Sequence, residues 1–185
     1  VRQEDRGFRL ARVRNLGMTA ARGDYIVFTD QDCLAGPGFL AAHSGLARRG
    51  RIVQGGRRFL SKRATEYLLS LPADWAGRVD LSPYAVRHPA EDILVQAFAR
   101  RFGALTGSNV SGFKADFLRA GGFEERYEGW GAEDLDLGYR LWKSGFSIAY
   151  LGVGPGTVIH LHHPASRNFL NRAYLRLYRD ILTDM

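Results

Sequence analysis

The run Tyr25-Ile26-Val27-Phe28-Thr29 stops abruptly at Asp30-Gln31-Asp32, and no other feature constrains the fold as strongly. A short, nearly all-apolar run of this kind is expected of a strand buried on both faces of a parallel sheet. A strand ending in two carboxylates sets them outside the carboxyl end of a sheet, where open α/β folds bind ligands. Read as extended chain, Asp30 and Asp32 point the same way, because side chains alternate. Two hard oxygen donors so placed suit Mg²⁺ or Mn²⁺, with nucleotide phosphates as further ligands. Asp-x-Asp after an apolar strand also occurs in ordinary turns, so the junction alone does not decide the chemistry.

The remaining chain alternates helical and extended patterns. Residues 8–22 read as a helix, with Leu10, Val13, Leu16 or Gly17 and Ala20 at helical spacing. Gly23-Asp24 is a turn. Pro37 opens a second helix that carries Phe39, Leu40 and Leu46 and stops at Gly50. Residues 51–54 suggest a strand. Residues 56–90 show no clear period and read as helical pieces with a mobile segment. Ile93, Leu94, Ala97 and Phe98 give another helical stripe. Residues 104–113 read as strand and turn, and 117–120 as a short helix stopped by Gly121-Gly122. A helix over 133–143, strands over 146–153 and 157–161 and an amphipathic helix over 168–182 complete the pattern. The alternation argues for an α/β domain, and 185 residues suit a single one.

Composition bounds the partners. The net charge is +7, and Lys62, Lys114 and Lys143 are the only lysines among 26 basic residues. That balance favours anionic partners: phosphate, nucleic acid, an acidic glycan or a membrane surface. The arginines are spread rather than blocked, so a plain compositional preference for Arg accounts for them equally well. No stretch approaches the roughly 18 to 20 apolar residues that span a bilayer. The charged start Val1-Arg2-Gln3-Glu4-Asp5-Arg6 is unlike a signal peptide. The single cysteine, Cys33, excludes an internal disulfide and fits a reducing compartment. A cytoplasmic location is therefore expected, with peripheral contact at the inner face of the membrane compatible with the charge.

Two further constellations carry chemistry. In Gly129-Trp130-Gly131-Ala132-Glu133-Asp134, an indole between two glycines is a platform for a sugar's apolar face. Glu133 and Asp134 open a helix, where the macrodipole favours carboxylates. A plainer reading has these acids complementing the dipole and Trp130 in the core. In His160-Leu161-His162-His163, imidazoles after a strand can supply a metal ligand, with one or two of the three as spectators.

Taken in order, these motifs resemble family 2 glycosyltransferases. The Gly-Trp-Gly-x-Glu-Asp element is similar to the C-terminal region shared by β-1,4-galactosyltransferases, polypeptide N-acetylgalactosaminyltransferases and bacterial chondroitin polymerases. Arg9-Leu10-Ala11-Arg12-Val13-Arg14-Asn15-Leu16-Gly17, followed by Gly23-Asp24-Tyr25-Ile26-Val27-Phe28, resembles the helix and strand that lead to the family's Asp-x-Asp. The resemblance covers nearly the whole chain. It implies a GT-A fold, a Rossmann-like mixed sheet flanked by helices, in one catalytic domain over residues 1–185. Only eight residues precede Arg9, where the family has further βα units that hold the base. The expectation is therefore a GT-A fold incomplete at the N-terminus, its C-terminal two-thirds.

The resemblance also implies a function: inverting, metal-dependent transfer from a UDP-sugar to a glycan or other hydroxyl acceptor. It assigns Asp32, Asp30, His160 and His163 to Mn²⁺ or Mg²⁺, with Asp30 and Arg9 also at the nucleotide. His162 is a further option, since on a strand it would share a face with His160. Asp134 becomes the general base, Glu133 holds an acceptor hydroxyl, and Trp130 and Gly131 line the sugar site. Three other readings compete. A basic nucleic-acid-binding module leaves the four carboxylates unexplained, since they repel phosphate without a metal, so nucleic acid is not an expected partner. A metal-dependent phosphohydrolase offers no role for Trp130. A catalytically inactive scaffold accords with the short N-terminal region.

Overall fold

The computed structural model describes residues 1–4, 6–72, 85–86, 97, 101, 103–129, 131–164, 176, 179, 180 and 183. Two four-stranded mixed sheets carry the fold. The first runs in the order β1 (Tyr25–Thr29), β6 (Asn109–Phe113), β3 (Arg51–Gln54), β7 (Ser147–Tyr150). The second runs β2 (Cys33–Ala35), β8 (Val158–His160), β4 (Arg57–Leu60), β5 (Ala85–Val86). Helices α1 (Leu10–Ala20), α2 (Phe39–Gly45), α3 (Lys62–Leu69), α4 (Lys114–Arg119) and α5 (Glu133–Lys143) flank them. The α/β expectation holds. No helix among the described residues is long and apolar enough to cross a membrane.

The setting of β1 differs from the sequence expectation. It pairs antiparallel with β6, from Tyr25 opposite Phe113 to Thr29 opposite Asn109, and only one of its faces is fully buried. Ile26 and Phe28 enter the main core, while Tyr25 and Val27 are half-buried. Phe28 meets Phe117 and Phe123 edge-on, with ring centroids 5.3 and 5.2 Å apart, geometry that aromatic quadrupoles favour. Tyr25 carries a hydroxyl that needs a partner. It finds Ser111 Oγ at 2.9 Å and donates to the His43 carbonyl at 3.2 Å. The buried His43 ring in turn bonds Ser111 Oγ through Nδ1 at 2.7 Å, which docks α2.

The inward stripe of α1 is shifted by one residue from the apolar spacing. Ala11, Arg14 and Met18 are buried, whereas Leu16, Gly17 and Ala20 are exposed. Arg14 occupies a core-facing position because its partners lie inside, as described below. Within 56–90 the structure describes β4, α3 and the short β5. Ser61 caps α3 by accepting from the Ala64 N–H at 3.2 Å, and Leu60, Ala64 and Leu68 form a second, smaller core. The stripe at 93–98 and the final helix at 168–182 lie almost wholly outside the described residues.

Helix α5 approaches its neighbour unusually closely. A Cβ on Gly138 would collide with the Gly103 carbonyl oxygen and come within 2.7 Å of Leu105 Cγ. Backbone cannot yield as a flexible side chain can, so Gly138→Ala is expected to destabilise by about 1–3 kcal/mol. Urea unfolding checks this; a midpoint equal to the parent's would show that α5 has room to shift.

Candidate active site

The carboxyl end of β1 turns instead of extending. The Cys33 N–H donates to the Asp30 carbonyl at 3.1 Å, and Gln31 and Asp32 form the turn between β1 and β2. Asp30 and Asp32 therefore part company, against the extended-chain expectation. β2 pairs antiparallel with β8, setting Cys33 opposite His160, and the Leu161 N–H donates to the Asp32 carbonyl at 2.9 Å. This pairing brings the Asp32 side chain to the histidines. Asp32 Oδ2 lies 3.6 Å from His160 Nε2 and 3.3 Å from His163 Nε2.

The ring orientations suit a cation. His160 Nδ1 lies 2.7 Å from the Leu161 carbonyl oxygen, and His163 Nδ1 lies 3.0 Å from that of Pro164. A carbonyl accepts only from an N–H, so Nδ1 is the donor in both rings, and Nε2 is the ring nitrogen that faces Asp32. Backbone carbonyls fix the tautomers of metal-bound histidines in this way. The three donor atoms all lie within 4.8 Å of one another. His162 stands apart: its backbone N–H donates to Thr65 Oγ1 at 2.9 Å, and its ring is not in the cluster.

Asp30 belongs to a second cluster built around Arg14. Arg14 is 8% exposed; its guanidinium donates to Asp30 Oδ1 at 2.8 Å and to Glu133 Oε1 at 2.9 Å. It also lies 5.3 Å from the centroid of the Phe123 ring. Gly107 makes room for it, since a Cβ there would overlap the guanidinium. The same Gly107 donates its N–H to Asp134 Oδ2 at 2.8 Å, and the Leu135 N–H reaches Asp134 Oδ1 at 2.8 Å. Burial, first, and the neighbouring Asp134 push the Glu133 carboxyl up, while Arg14 holds it down. Ala132, just before this pair, has φ +79°, the only positive φ outside glycine among the described residues. A left-handed Ala is strained, and it aims the first turn of α5 at Gly107 and Arg14.

The two clusters meet along Asp30-Gln31-Asp32. Between them the Cys33 thiol is pushed up to about 12, by burial first and then by Asp30 and Asp32, with Arg57 acting the other way. Arg9 joins neither cluster: it occupies the N-cap position of α1 without a side-chain cap hydrogen bond, and its guanidinium donates to the Glu4 carbonyl. Gly131 is left-handed, with open space where a Cβ would be, and Trp130 lies outside the described residues. The structure thus gathers Asp32, His160 and His163 in one group, and Asp30, Glu133 and Asp134 in another. Sequence reasoning passed over Arg14 and Gly107. The one available signal was Arg14's place in line with Ala11 and Met18.

Comparisons with known proteins bear on the family and the fold. Residues 1–170 match the family described as Glycosyltransferase like family 2. The chain is 35% identical over 160 residues to validoxylamine A glucosyltransferase of Streptomyces hygroscopicus subsp. jinggangensis (strain 5008), covering 79% of this chain and 38% of that protein. It is 28% identical over 192 residues to chondroitin synthase of Escherichia coli, covering 94% of this chain and 28% of that protein. Among solved structures, GalNAc-T7 with UDP, GalNAc and Mn²⁺ is similar at a TM-score of 0.59 and 15% identity, over 96% of this chain and 35% of that one. Mannosyltransferase PcManGT from Pyrobaculum calidifontis, in complex with GDP-Man and Mn²⁺, gives 0.53 and 19%, over 97% and 42%. At such identities the structural likeness shows the fold alone. The chain spans 38% and 28% of the length of the two curated relatives. With the family match over residues 1–170 and mixed sheets flanked by helices like those of GT-A transferases, the chain belongs to glycosyltransferase-like family 2.

Proposed function

We propose that this chain carries the catalytic machinery of an inverting, metal-dependent glycosyltransferase that moves a sugar from a uridine diphosphate sugar to the hydroxyl of a glycan acceptor. One observation carries the reading. Three groups able to hold a cation (Asp32, His160, His163) are linked through Asp30 and Arg14 to a carboxylate pair, Glu133 and Asp134. In this reading the first group supplies charge for a departing diphosphate and the second a base for an incoming hydroxyl.

Asp32, His160 and His163 would hold the cation, and two imidazoles favour Mn²⁺ over Mg²⁺, which prefers oxygen donors. When bound, it supplies positive charge to the diphosphate as that group takes up the bonding electrons. Asp134 receives the acceptor hydroxyl's proton on a carboxylate oxygen as the acceptor oxygen attacks the anomeric carbon. In this reading Asp134 acts as the one base while Glu133 stays engaged by Arg14, so the transfer is a single displacement with inversion. Glu133, tied by one oxygen to Arg14, offers its other oxygen to a sugar hydroxyl. In this reading Trp130 and Gly131 line the sugar site and Arg9 reaches the nucleotide.

Calorimetry of Mn²⁺ with uridine diphosphate tests the cation site. Asp32→Ala and His160→Ala are each expected to weaken joint binding by about tenfold or more, since each removes a ligand. His163→Ala should act in the same direction, and His162→Ala should leave binding as it is. Equal effects of all three histidine substitutions, or tight joint binding by Asp32→Ala, would discard the assignment.

A further inference from the structure

Arg57 belongs to neither cluster, yet it lies between them. It opens β4, whose parallel register with β8 sets Arg57 opposite Val158 and Phe59 opposite His160. Residues two apart on a strand share a face, so Arg57 lies on the side that carries Phe59. Its guanidinium carbon stands 4.7 Å from the centroid of the Phe59 ring, and that ring lies 5.1 Å from His160. In the other direction its Nη1 reaches Ser108 Oγ at 3.4 Å. Ser108 adjoins Gly107, whose N–H holds Asp134. The guanidinium thus bridges from the cation site toward the base.

Arg57 is half-buried, and it makes no ion pair with a carboxylate among the described residues. Arg14, by contrast, is fully engaged by Asp30 and Glu133. A half-desolvated guanidinium on an aromatic face, bound only weakly to one hydroxyl, retains most of its five donors for an anion. The group that must pass between a cation at Asp32 and a base at Asp134 is the phosphate bonded to the transferred sugar.

We infer that Arg57 binds the distal phosphate of the nucleoside diphosphate, as a fixed cation carried by the protein. The inference rests on the glycosyltransferase reading and adds a protein-borne charge at the leaving group. Such a charge is in place before reaction and needs no reorganisation as the diphosphate departs.

Calorimetry with uridine diphosphate and uridine monophosphate, each with and without Mn²⁺, separates the two claims. Arg57→Met is expected to weaken diphosphate binding by about 10–100-fold, the usual range for charge-assisted hydrogen bonds, and to leave monophosphate binding unchanged. The selective loss should persist without metal. Arg57→Gln, which keeps polarity and drops the charge, should show the same selectivity and serves if Arg57→Met fails to fold. If the parent binds diphosphate with Mn²⁺ but the variants lose both nucleotides equally, or neither, the Arg57 assignment alone is wrong. If the parent binds neither nucleotide, the glycosyltransferase reading falls and this inference with it.

Discussion

Asp134→Asn is expected to cut sugar transfer by about 10²-fold or more while leaving joint binding of Mn²⁺ and uridine diphosphate close to the parent's. The carboxylate is fixed on both oxygens, by the Gly107 N–H and the Leu135 N–H, each at 2.8 Å. Each oxygen retains a second lone pair, so a positioned acceptor hydroxyl has a proton acceptor within a rigid frame. Rigid placement is worth much of the barrier in a displacement. Asparagine removes the base and keeps only one acceptor oxygen, so one of the two backbone hydrogen bonds is lost as well. That adds about 1 kcal/mol of instability, visible as a modest fall in melting temperature. The kinetic signature is a fall in kcat with the donor's KM unchanged. Glu133→Gln and Trp130→Ala should instead raise the acceptor's KM, because their proposed roles are in holding sugar. Near-parental turnover by Asp134→Asn, or lost donor affinity as its main defect, would show that another group takes the proton.

Arg14→Met should be the most destabilising single change in the site, by about 3–5 kcal/mol, the usual cost of stranding one partner of a buried ion pair. Methionine fills much of the volume but leaves Glu133 and the partly buried Asp30 without their shared cation. The pH dependence distinguishes this from simple loss of packing. The Glu133 carboxyl is already raised from its ordinary 4.5, by burial first, with Arg14 opposing the rise. Above 4.5 the folded state therefore binds more protons at Glu133 than the unfolded state does, and stability falls as pH rises through that window. Without Arg14 the window extends upward. Arg14→Met should then recover part of its stability as the pH is lowered from neutral, because Glu133 takes up its proton in the folded variant before it does in the unfolded chain. Urea unfolding at pH 7.5 and pH 5 gives the comparison. Parental stability at both values, or no recovery on acidification, would mean that Arg14 is not the charge that neutralises this pair.

The sequence alone determined much of the element order and singled out the candidate site positions. An apolar run ending in carboxylates marked β1 and its turn; Glu133-Asp134 at a helix start and histidines after a strand marked the rest. β3 was read at 51–54 and found at Arg51–Gln54, and α5 was read at 133–143 and found at Glu133–Lys143. These features are local, set by side-chain period, by glycine stops and by the preference of carboxylates for helix N-termini. The tertiary structure decided which groups meet. Asp30 and Asp32 diverge because the Cys33 N–H folds back on the Asp30 carbonyl. His163, rather than His162, joins His160 because β8 ends at His160, so strand alternation does not carry to residue 162. β1 is antiparallel to β6, a partner that arrives some eighty residues later in the chain, and an apolar run cannot state the direction of its neighbour. Arg14 was passed over for a related reason. A charged residue on an apolar helix face reads as surface until its carboxylate partners are placed beside it, and these lie 16 and 119 residues away in sequence. Burial of a charge is decided by the groups that compensate it, and only the folded chain brings those groups together.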